Sequence, residues 1–185
     1  GASSDAISPI YIEKTWELGA KMAQRGHGLV YGGGAQGLMG AAARGVQAYG
    51  GEIIGVAPRF FQVDGVLFDG CTEMIYTETM RQRKEIMEQK ADAFCVVPGG
   101  IGTFEEFLEI LTLKQLGRHK KPIVIYDIND YYAPMWSMLQ RAIDQGFMKA
   151  ACSCLYAPHS SAEALLTYLE EYQPDQVDVR HLKNI

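Results

Sequence analysis

The stretch that decides the fold lies near the middle of the chain and is rich in glycine: Pro98-Gly99-Gly100-Ile101-Gly102-Thr103-Phe104-Glu105-Glu106. An apolar run over residues 93–97 precedes it and predicts a buried strand. Apolar residues at helical spacing continue to Leu116 and predict a helix. Because the first amides of a helix are unpaired and have partial positive charge, this strand-to-helix turn predicts an anion site, most often for phosphate.

Two carboxylates, Glu105 and Glu106, follow the glycines, and we expect both in the first turn of the helix. Thr103 and Glu106 have the spacing of a capping box, with Thr103 at the N-cap, which is the structural alternative to a role in chemistry. A purely structural box would require neither three glycines beside it nor a second acid. The segment therefore indicates chemistry on a phosphorylated small molecule.

A second glycine-rich turn, residues 32–37, follows a short predicted strand and leads into a helix. We expect its amides to take part in the same anion site. Its spacing also resembles the dinucleotide motif G-x-G-x-x-G, and a turn that serves only helix packing is the structural alternative. A dinucleotide site needs an acid after the following strand, and that strand ends Val56-Ala57-Pro58-Arg59, which argues against NAD.

Strands and helices alternate along the chain. The predicted strands cover residues 29–31, 53–56, 74–76, 93–97, 122–126 and 154–156. The predicted helices cover residues 9 to about 25, 41–49, 80–90, the stretch after the central glycines, 131–145 and 162–172. This pattern is typical of a parallel sheet buried on both faces, so we predict an α/β protein: a single Rossmann-like domain over residues 1–185. We expect its first strand to precede Gly1 and residues 173–185 to form a polar tail.

Composition excludes several classes of protein. The net charge of -5 argues against a broad nucleic-acid surface, and no apolar run reaches the roughly 20 residues of a membrane span. No signal peptide is visible. The cysteines form neither a C-x-x-C pair nor a zinc spacing with histidine, which predicts reduced thiols in a cytosolic protein: Cys71, Cys95, Cys152 and Cys154. We expect neither a metal nor another cofactor.

The helix predicted over residues 80–90 begins Met80-Arg81-Gln82-Arg83-Lys84, with three cations in four residues. A charged, solvated helix face is the structural alternative. The helix begins just after a strand, one strand-helix unit before the central glycines, and ligands bind at the carboxyl ends of such strands. This position favours a ligand role for Arg83, because a guanidinium pairs well with phosphate or sugar hydroxyls.

Together these motifs resemble those of the LONELY GUY family, the cytokinin riboside 5′-monophosphate phosphoribohydrolases and their bacterial relatives, often mislabelled as lysine decarboxylases. Residues 98–106 resemble its PGGxGTxxE signature, and residues 80–84 resemble its M-x-x-R-K element. Residues 31–40 and Ala2-Ser3-Ser4 are similar to its first glycine turn and its opening serine turn. The resemblance extends to about Tyr172. Arg81 departs from the family pattern, since plant members commonly have His there, which concerns base specificity more than chemistry.

The resemblance implies hydrolysis of the N-glycosidic bond of a nucleoside 5′-monophosphate, such as AMP or N6-isopentenyl-AMP, to a free base and ribose 5-phosphate. It assigns Arg83 and Glu106 as catalytic residues, with Glu105 as the second candidate for the acid. It assigns the phosphate cradle to Gly100, Gly102 and Thr103, and further substrate contacts to Lys84, Thr112 and Asp64. From the glycine-rich turns, the opening serine turn and the second acid we also expect substrate binding by Ser3, Gly33, Gly34, Gly99, Ile101 and Glu105. The resemblance also implies a homodimer, while cysteine usage, charge and hydropathy predict a cytoplasmic protein that binds neither nucleic acid nor membrane.

Two other functions stay open at this point. One is a nucleotide or molybdenum-cofactor carrier of the same superfamily that does no chemistry, against which the intact Arg83 and Glu106 argue. The other is a Rossmann module with a regulatory ligand. The sequence also leaves open which base is preferred, and whether the product serves cytokinin synthesis or nucleotide salvage.

Overall fold

The computed structural model describes residues 1–174 and Leu182. The chain divides into two compact units, unit 1 with residues 1–91 and unit 2 with residues 92–185. Each unit contains a three-stranded parallel sheet accompanied by helices. The predicted α/β class with parallel strands is therefore confirmed. That residues 1–185 form a single domain stays a prediction. No helix within the described residues is long and apolar enough to cross a membrane.

Unit 1 alternates helices and strands from its first helix onwards. Its elements are α1 (Pro9–Gln24), β1 (Leu29–Tyr31), α2 (Gly37–Ala48), β2 (Ile53–Pro58), a short 3-10 helix (Arg59–Phe61), β3 (Glu73–Thr77) and α3 (Met80–Lys90). The sheet has the order β1-β2-β3, with Tyr31 opposite Gly55 and Pro58 opposite Thr77. Val56 and Ala57 of the central strand are fully buried, as an apolar run between helices predicts.

Two glycines set the packing of α1 on α2. A Cβ atom added at Gly19 would overlap the carbonyl oxygen of Ala42, and one at Gly45 would overlap the carbonyl oxygen of Trp16. Because these obstacles are backbone atoms, a larger residue at either position would force the helices apart. Gly19 of α1 and Gly45 of α2 are thus required by a close helix contact.

Unit 2 repeats the alternation. Its elements are β4 (Phe94–Val96), α4 (Ile101–Gln115), β5 (Ile123–Tyr126), a 3-10 helix (Ile128–Asp130), α5 (Ala133–Asp144), a second 3-10 helix (Ala150–Leu155), β6 (Ala157–His159) and α6 (Ala162–Glu171). The sheet has the order β4-β5-β6. Its core contains Val96, Phe107, Ile123, Ile125 and Tyr132, all buried.

The prediction of the last strand is wrong in its position. The sequence pattern predicts it over residues 154–156, and it lies at Ala157–His159, while Ala150–Leu155 forms a 3-10 helix. Cys152 and Leu155 are buried there because residues three apart share one side of a 3-10 helix. Pro158 is tolerated in β6 because that strand pairs on one side only, with β5.

Most of the predicted polar tail, residues 173–185, lies outside the described residues. Leu182 is described, and it is buried against Cys152 and Leu155. Its carbonyl oxygen accepts a hydrogen bond from Gln115 Nε2 at 3.0 Å. At this one position the chain packs on unit 2, which a purely polar tail would not do.

His159 at the end of β6 predicts a pH dependence of stability. Burial lowers the pKa of its imidazole below the usual value of 6.5, and Nε2 is buried without a hydrogen-bond partner among the described residues. The unfolded chain therefore takes up this proton more readily than the folded chain. The free energy of unfolding should fall as pH decreases from about 6.5 towards the folded-state pKa.

His159→Phe removes this titration and keeps an aromatic ring beside Tyr168, whose ring centroid lies 5.1 Å away. Thermal unfolding at several pH values between about 7.5 and 5.5, which bracket the usual imidazole pKa, checks the prediction. The variant should lose less stability on acidification than the wild-type protein does. Parallel pH curves for the two proteins would contradict a buried, unpaired imidazole.

Candidate active site

Unit 1 contains a cleft of about 470 Å³ at the carboxyl ends of β1 and β2. That volume lies in the usual range for small-molecule sites, roughly 300–1,000 Å³. Four residues assigned from the sequence lie in its wall, namely Ser3, Gly34, Asp64 and Arg83. The cleft therefore brings together the opening serine turn, the first glycine turn, the loop after β2 and the basic helix.

Arg83 is positioned by the local structure of α3. A capping box starts this helix, in which Thr79 Oγ1 accepts from the Gln82 amide at 3.2 Å and Gln82 Oε1 accepts from the Thr79 amide at 3.3 Å. Arg83 is only 6% exposed, and its Nε donates to the carbonyl oxygen of Val56 at 3.1 Å. The alternative of a solvated helix face therefore does not hold for Arg83.

Gly32 leaves the space that the Arg83 guanidinium occupies. A Cβ atom at Gly32 would overlap Nη2 of Arg83, and Gly32 itself lies in the wall of the cleft. The conformation of Gly32 does not explain the glycine, since the structure does not place it at positive φ. Close approach of a cation explains it instead.

The first glycine turn does not offer the anion site that the sequence predicts at the start of α2. The amide of Gly37 donates to Asp5 Oδ1 at 2.7 Å, and the amide of Leu38 donates to the carbonyl oxygen of Ala2 at 2.9 Å. Met39 donates to the same carbonyl at 3.3 Å. A carboxylate and a carbonyl thus satisfy the amides that a phosphate would need. This turn shapes the cleft and does not cradle an anion at its helix.

The residues of the other wall of the cleft were not predicted from the sequence. The loop after the 3-10 helix pairs with the first glycine turn, since Ala35 donates to Val66 at 3.0 Å and Phe68 donates to Gly33 at 2.8 Å. Gly33 has φ of +77° and lies outside the wall. The missed residues are mostly apolar or small: Gln36, Met39, Phe61, Gly65, Val66 and Leu67. The adjacent phenylalanines Phe60-Phe61, between the strands predicted at 53–56 and 74–76, are the sequence signal that could have identified this wall.

In unit 2 the central glycine turn leads directly into α4. The helix begins at Ile101 with Gly100 at the N-cap, so Thr103 is the third helical residue. The predicted capping box of Thr103 and Glu106 is therefore wrong, and Glu105 and Glu106 lie in the second turn, not in the first. The reason is that the helix starts earlier than expected, with the Phe104 amide donating to the carbonyl oxygen of Gly100 at 3.0 Å.

The start of α4 presents unused amides. Within the described part of unit 2, no group accepts from the amides of Ile101, Gly102 or Thr103. A Cβ atom at Gly100 or Gly102 would meet nothing within 4 Å, and neither residue has positive φ. Neither crowding nor conformation requires glycine at these two positions, whereas a ligand that closely approaches the backbone does.

The remaining assigned side chains differ in their surroundings. Glu105 is exposed, Glu106 is half-buried and Thr103 is buried. Thr112 is exposed, and its hydroxyl donates to the carbonyl oxygen of Leu108 at 2.7 Å, within its own helix. Lys84 is half-buried on α3 and lies outside the wall of the cleft. The assignment of Thr112 and Lys84 to substrate binding stays a prediction.

Two tyrosines that the sequence did not single out hold the central glycine turn. The hydroxyl of Tyr131 donates to the carbonyl oxygen of Gly99 at 2.6 Å, and that of Tyr132 donates to the carbonyl oxygen of Val97 at 2.8 Å. Burial raises the pKa of the Tyr132 phenol, with a smaller contribution from the neighbouring Tyr131, so this donor stays protonated. Among the described residues, no group of three or more His, Cys, Asp or Glu side chains could hold a metal ion.

Comparison with known proteins identifies relatives over most of the chain. Residues 39–169 match the family model described as possible lysine decarboxylase. The chain is 36% identical over 173 residues to cytokinin riboside 5′-monophosphate phosphoribohydrolase LOG7 of Arabidopsis thaliana, covering 94% of this chain and 80% of the relative. It is 38% identical over 165 residues to the enzyme LOG of Oryza sativa subsp. japonica, covering 89% and 68%.

Solved structures share the fold at lower identity. The molybdenum cofactor binding protein from Rippkaea orientalis matches with a TM-score of 0.68 and 20% identity, covering 89% of each chain. The molybdenum cofactor carrier protein from Chlamydomonas reinhardtii matches with a TM-score of 0.66 and 22% identity, covering 89% of this chain and 88% of that one. At these identities the likeness shows the Rossmann-like fold alone.

Proposed function

The chain belongs to the LONELY GUY family, whose family model is described as possible lysine decarboxylase. From that premise we propose that it hydrolyses the N-glycosidic bond of a nucleoside 5′-monophosphate. The products are the free base and ribose 5-phosphate. The observation that supports this most directly is the start of α4, where, among the described residues, nothing crowds Gly100 or Gly102 and no group accepts from the amides of residues 101–103. Such amides, together with the positive end of the helix dipole, favour an anion such as a phosphate group.

The chemistry requires a negative charge near the ribose, because cleavage of a glycosidic bond passes through an oxocarbenium-like state. We assign that charge to Glu106, which stabilises the developing cation or orients the attacking water. Arg83 binds ribose hydroxyls or phosphate and steadies the leaving group. Binding energy from the phosphate, remote from the bond that breaks, orients the substrate. The mechanism needs no cofactor.

The lining of the cleft in unit 1 suits a base with an apolar substituent. Its wall combines the buried guanidinium of Arg83 with the apolar side chains of Met39, Phe61, Val66 and Leu67. An adenine with an isopentenyl group at N6 has both a polar ring edge and an apolar branch. We therefore propose N6-isopentenyl-AMP and AMP as substrates, which would place the protein in cytokinin production or make it an AMP nucleosidase.

A carrier without chemistry is the second candidate, since two neighbours of similar fold are molybdenum cofactor proteins. Arg83 and Glu106 favour the enzyme, because a carrier needs no carboxylate opposite a ribose. Incubation with AMP and with N6-isopentenyl-AMP separates the two candidates. Free base and ribose 5-phosphate in equal amounts support the enzyme, and tight binding without products supports the carrier.

The 5′-phosphate should be required for turnover. We expect kcat/KM for adenosine to be at least about 100-fold lower than for AMP, because the α4 amides and their partial charge then have no anion to bind. Chromatographic measurement of released adenine checks both substrates under the same conditions. Comparable turnover of adenosine and AMP would contradict the assignment of Gly100–Thr103 as a phosphate cradle.

We also propose a homodimer in the cytoplasm. Apolar side chains on α4 are exposed in the single chain, with Ile101 at 88%, Leu108 at 47% and Leu116 at 37%. Burial of such a face in a second copy is favourable. The four cysteines are free thiols, which suits a reducing compartment. Sedimentation at micromolar concentration that finds only the 20.5 kDa monomer would contradict the dimer.

A further inference from the structure

The connection between β5 and α5 contains features that the proposed reaction does not yet use. Asn129 and Asp130 have φ of 59° and 55°, in the left-handed region, which Asn and Asp adopt more readily than other residues that have a side chain, though mostly as single residues. Two consecutive residues there, neither of them glycine, are unusual for a connection that only joins a strand to a helix. Such strain persists where the surrounding structure determines the backbone, and it often accompanies function.

One side chain holds the connection in this conformation. Asp127 Oδ1 accepts from the amide of Tyr132 at 2.9 Å, and Oδ2 accepts from Trp136 Nε1 at 3.0 Å. Both carboxylate oxygens are thus used, one on each side of the start of α5. The result is a fixed direction for the two tyrosines that come after the strained residues.

These tyrosines fasten the two peptide groups that flank Pro98-Gly99. Tyr132, which is 1% exposed, binds the carbonyl of Val97, whose peptide has no N–H because the next residue is Pro98. Tyr131 binds the carbonyl of Gly99, whose peptide includes the N–H of Gly100. Only the second of these contacts therefore controls a hydrogen-bond donor.

The contact of Tyr131 sets the direction of that donor. In a planar trans peptide the C=O and N–H groups point in opposite directions, so a fixed Gly99 carbonyl fixes the Gly100 amide. The peptide joins two glycines, and no Cβ atom resists its rotation. Without the tyrosine hydroxyl this peptide could turn over and present the Gly99 carbonyl oxygen in place of the Gly100 amide at the start of α4.

We propose that Tyr131 is a positioning residue for the phosphate-binding turn, acting through the orientation of the Gly99–Gly100 peptide. This inference rests on the proposed function. The proposed role concerns phosphate binding alone: Tyr131 positions groups that bind the phosphate of the substrate and takes no part in cleavage of the glycosidic bond. Neither the sequence pattern nor the names of the relatives assign this role.

Tyr131→Phe tests the proposal, because it removes the hydroxyl and keeps the ring, which packs edge-to-face on Tyr132 with centroids 5.0 Å apart. We expect KM for AMP to rise about tenfold, the equivalent of one well-placed hydrogen bond, while kcat changes less than about threefold. The kcat/KM for adenosine, which lacks the phosphate, should stay within about twofold of wild type. Tyr49→Phe is the control, because Tyr49 is exposed at the far end of α2 and should change neither substrate's kinetics.

A second measurement does not depend on activity. In protein labelled with 15N-glycine, the amide signal of Gly100, assigned through Gly100→Ala, should shift or broaden in Tyr131→Phe and not in Tyr49→Phe. An unchanged Gly100 signal would overturn the proposal, as would an unchanged KM for AMP or an equal loss with AMP and adenosine. If wild-type protein hydrolyses no nucleotide, the proposed function fails on its own, and the glycine signals still show whether Tyr131 holds the turn.

Discussion

Glu106→Gln should give a folded protein that still binds AMP and hydrolyses it at least about 100-fold more slowly. The substitution removes the negative charge that we assign to stabilisation of the oxocarbenium-like state, and such a loss typically costs about 10²–10³ in rate. Single-turnover hydrolysis and equilibrium binding of AMP, measured separately, check the two halves of the expectation. Arg83→Ala should lose activity and binding together.

The position of Glu106 separates an effect on catalysis from an effect on helix capping. Because the helix begins at Ile101, Glu106 lies in the second turn, beyond the positions at which a side chain caps the helix. The helix dipole acts mainly within the first turn, so Glu106→Gln loses little of that favourable interaction. Glu109→Gln is the matched control, because Glu109 lies one turn further along α4 and is also half-buried. This variant should keep activity within about twofold of wild type.

Near-normal turnover by Glu106→Gln would remove this residue from the mechanism. Glu105→Gln then becomes the deciding variant, since Glu105 is the adjacent exposed acid. A large loss of activity in that variant would move the catalytic role by one residue. Normal turnover in both variants would mean that neither acid takes part, and the proposed mechanism would have to be abandoned.

Gly32→Ala should lower kcat/KM for AMP by about 100-fold with little change in melting temperature. The added methyl group would overlap the guanidinium of Arg83, and a displacement of about 1 Å at a positioned group can cost that factor. The fold should tolerate the change, because the displaced atoms are the end of a side chain and not backbone. Steady-state kinetics and thermal unfolding check the two effects.

A matched control and a double variant isolate the cause. Gly55→Ala makes a comparable intrusion in the same unit, with its Cβ 2.6 Å from the end of Met74, and should leave activity largely intact. If Gly32→Ala acts through Arg83, then Gly32→Ala with Arg83→Ala should be no slower than Arg83→Ala alone. Additive losses in the double variant, or wild-type activity in Gly32→Ala, would contradict the proposed contact.

The alternation of short apolar runs with helical patterns was enough to predict the α/β class. Fully buried strands such as β5 read as continuous apolar stretches, and Val124 and Ile125 have no exposed surface. The basic helix was also predicted with its bounds, from Met80 to Lys90. These features depend on local pattern, which the sequence displays directly.

Cap geometry could not be predicted in the same way. Two of the strand-to-helix turns have the pattern Thr-x-x-Glu/Gln, at Thr79–Gln82 and at Thr103–Glu106, and of these only the first forms a capping box. At the second, the backbone at Gly100 already allows the helix to begin. A cap depends on where the helix starts, and a glycine-rich turn permits more than one start.

Contacts between residues far apart in the sequence could not be predicted either. The amides of α2 are satisfied in part by Asp5, 32 residues away in sequence from Gly37. The contact from Tyr131 to Gly99 also spans 32 residues. No local pattern announces such pairs, so the sequence predicted an anion site at α2 where a carboxylate lies. It also left Tyr131 and Tyr132 unremarked.

The main-chain pairing of the loop after β2 with the first glycine turn has an evolutionary consequence. Val66 and Leu67 are fastened there through backbone groups, which nearly every amino acid possesses. Side chains in this wall, Phe61 among them, can therefore be exchanged without detaching the wall itself. Arg83 is anchored elsewhere, on Val56 of β2, and does not change with such exchanges. Under the proposed function, exchanges in this wall would change the base that is accepted and leave the cation in place.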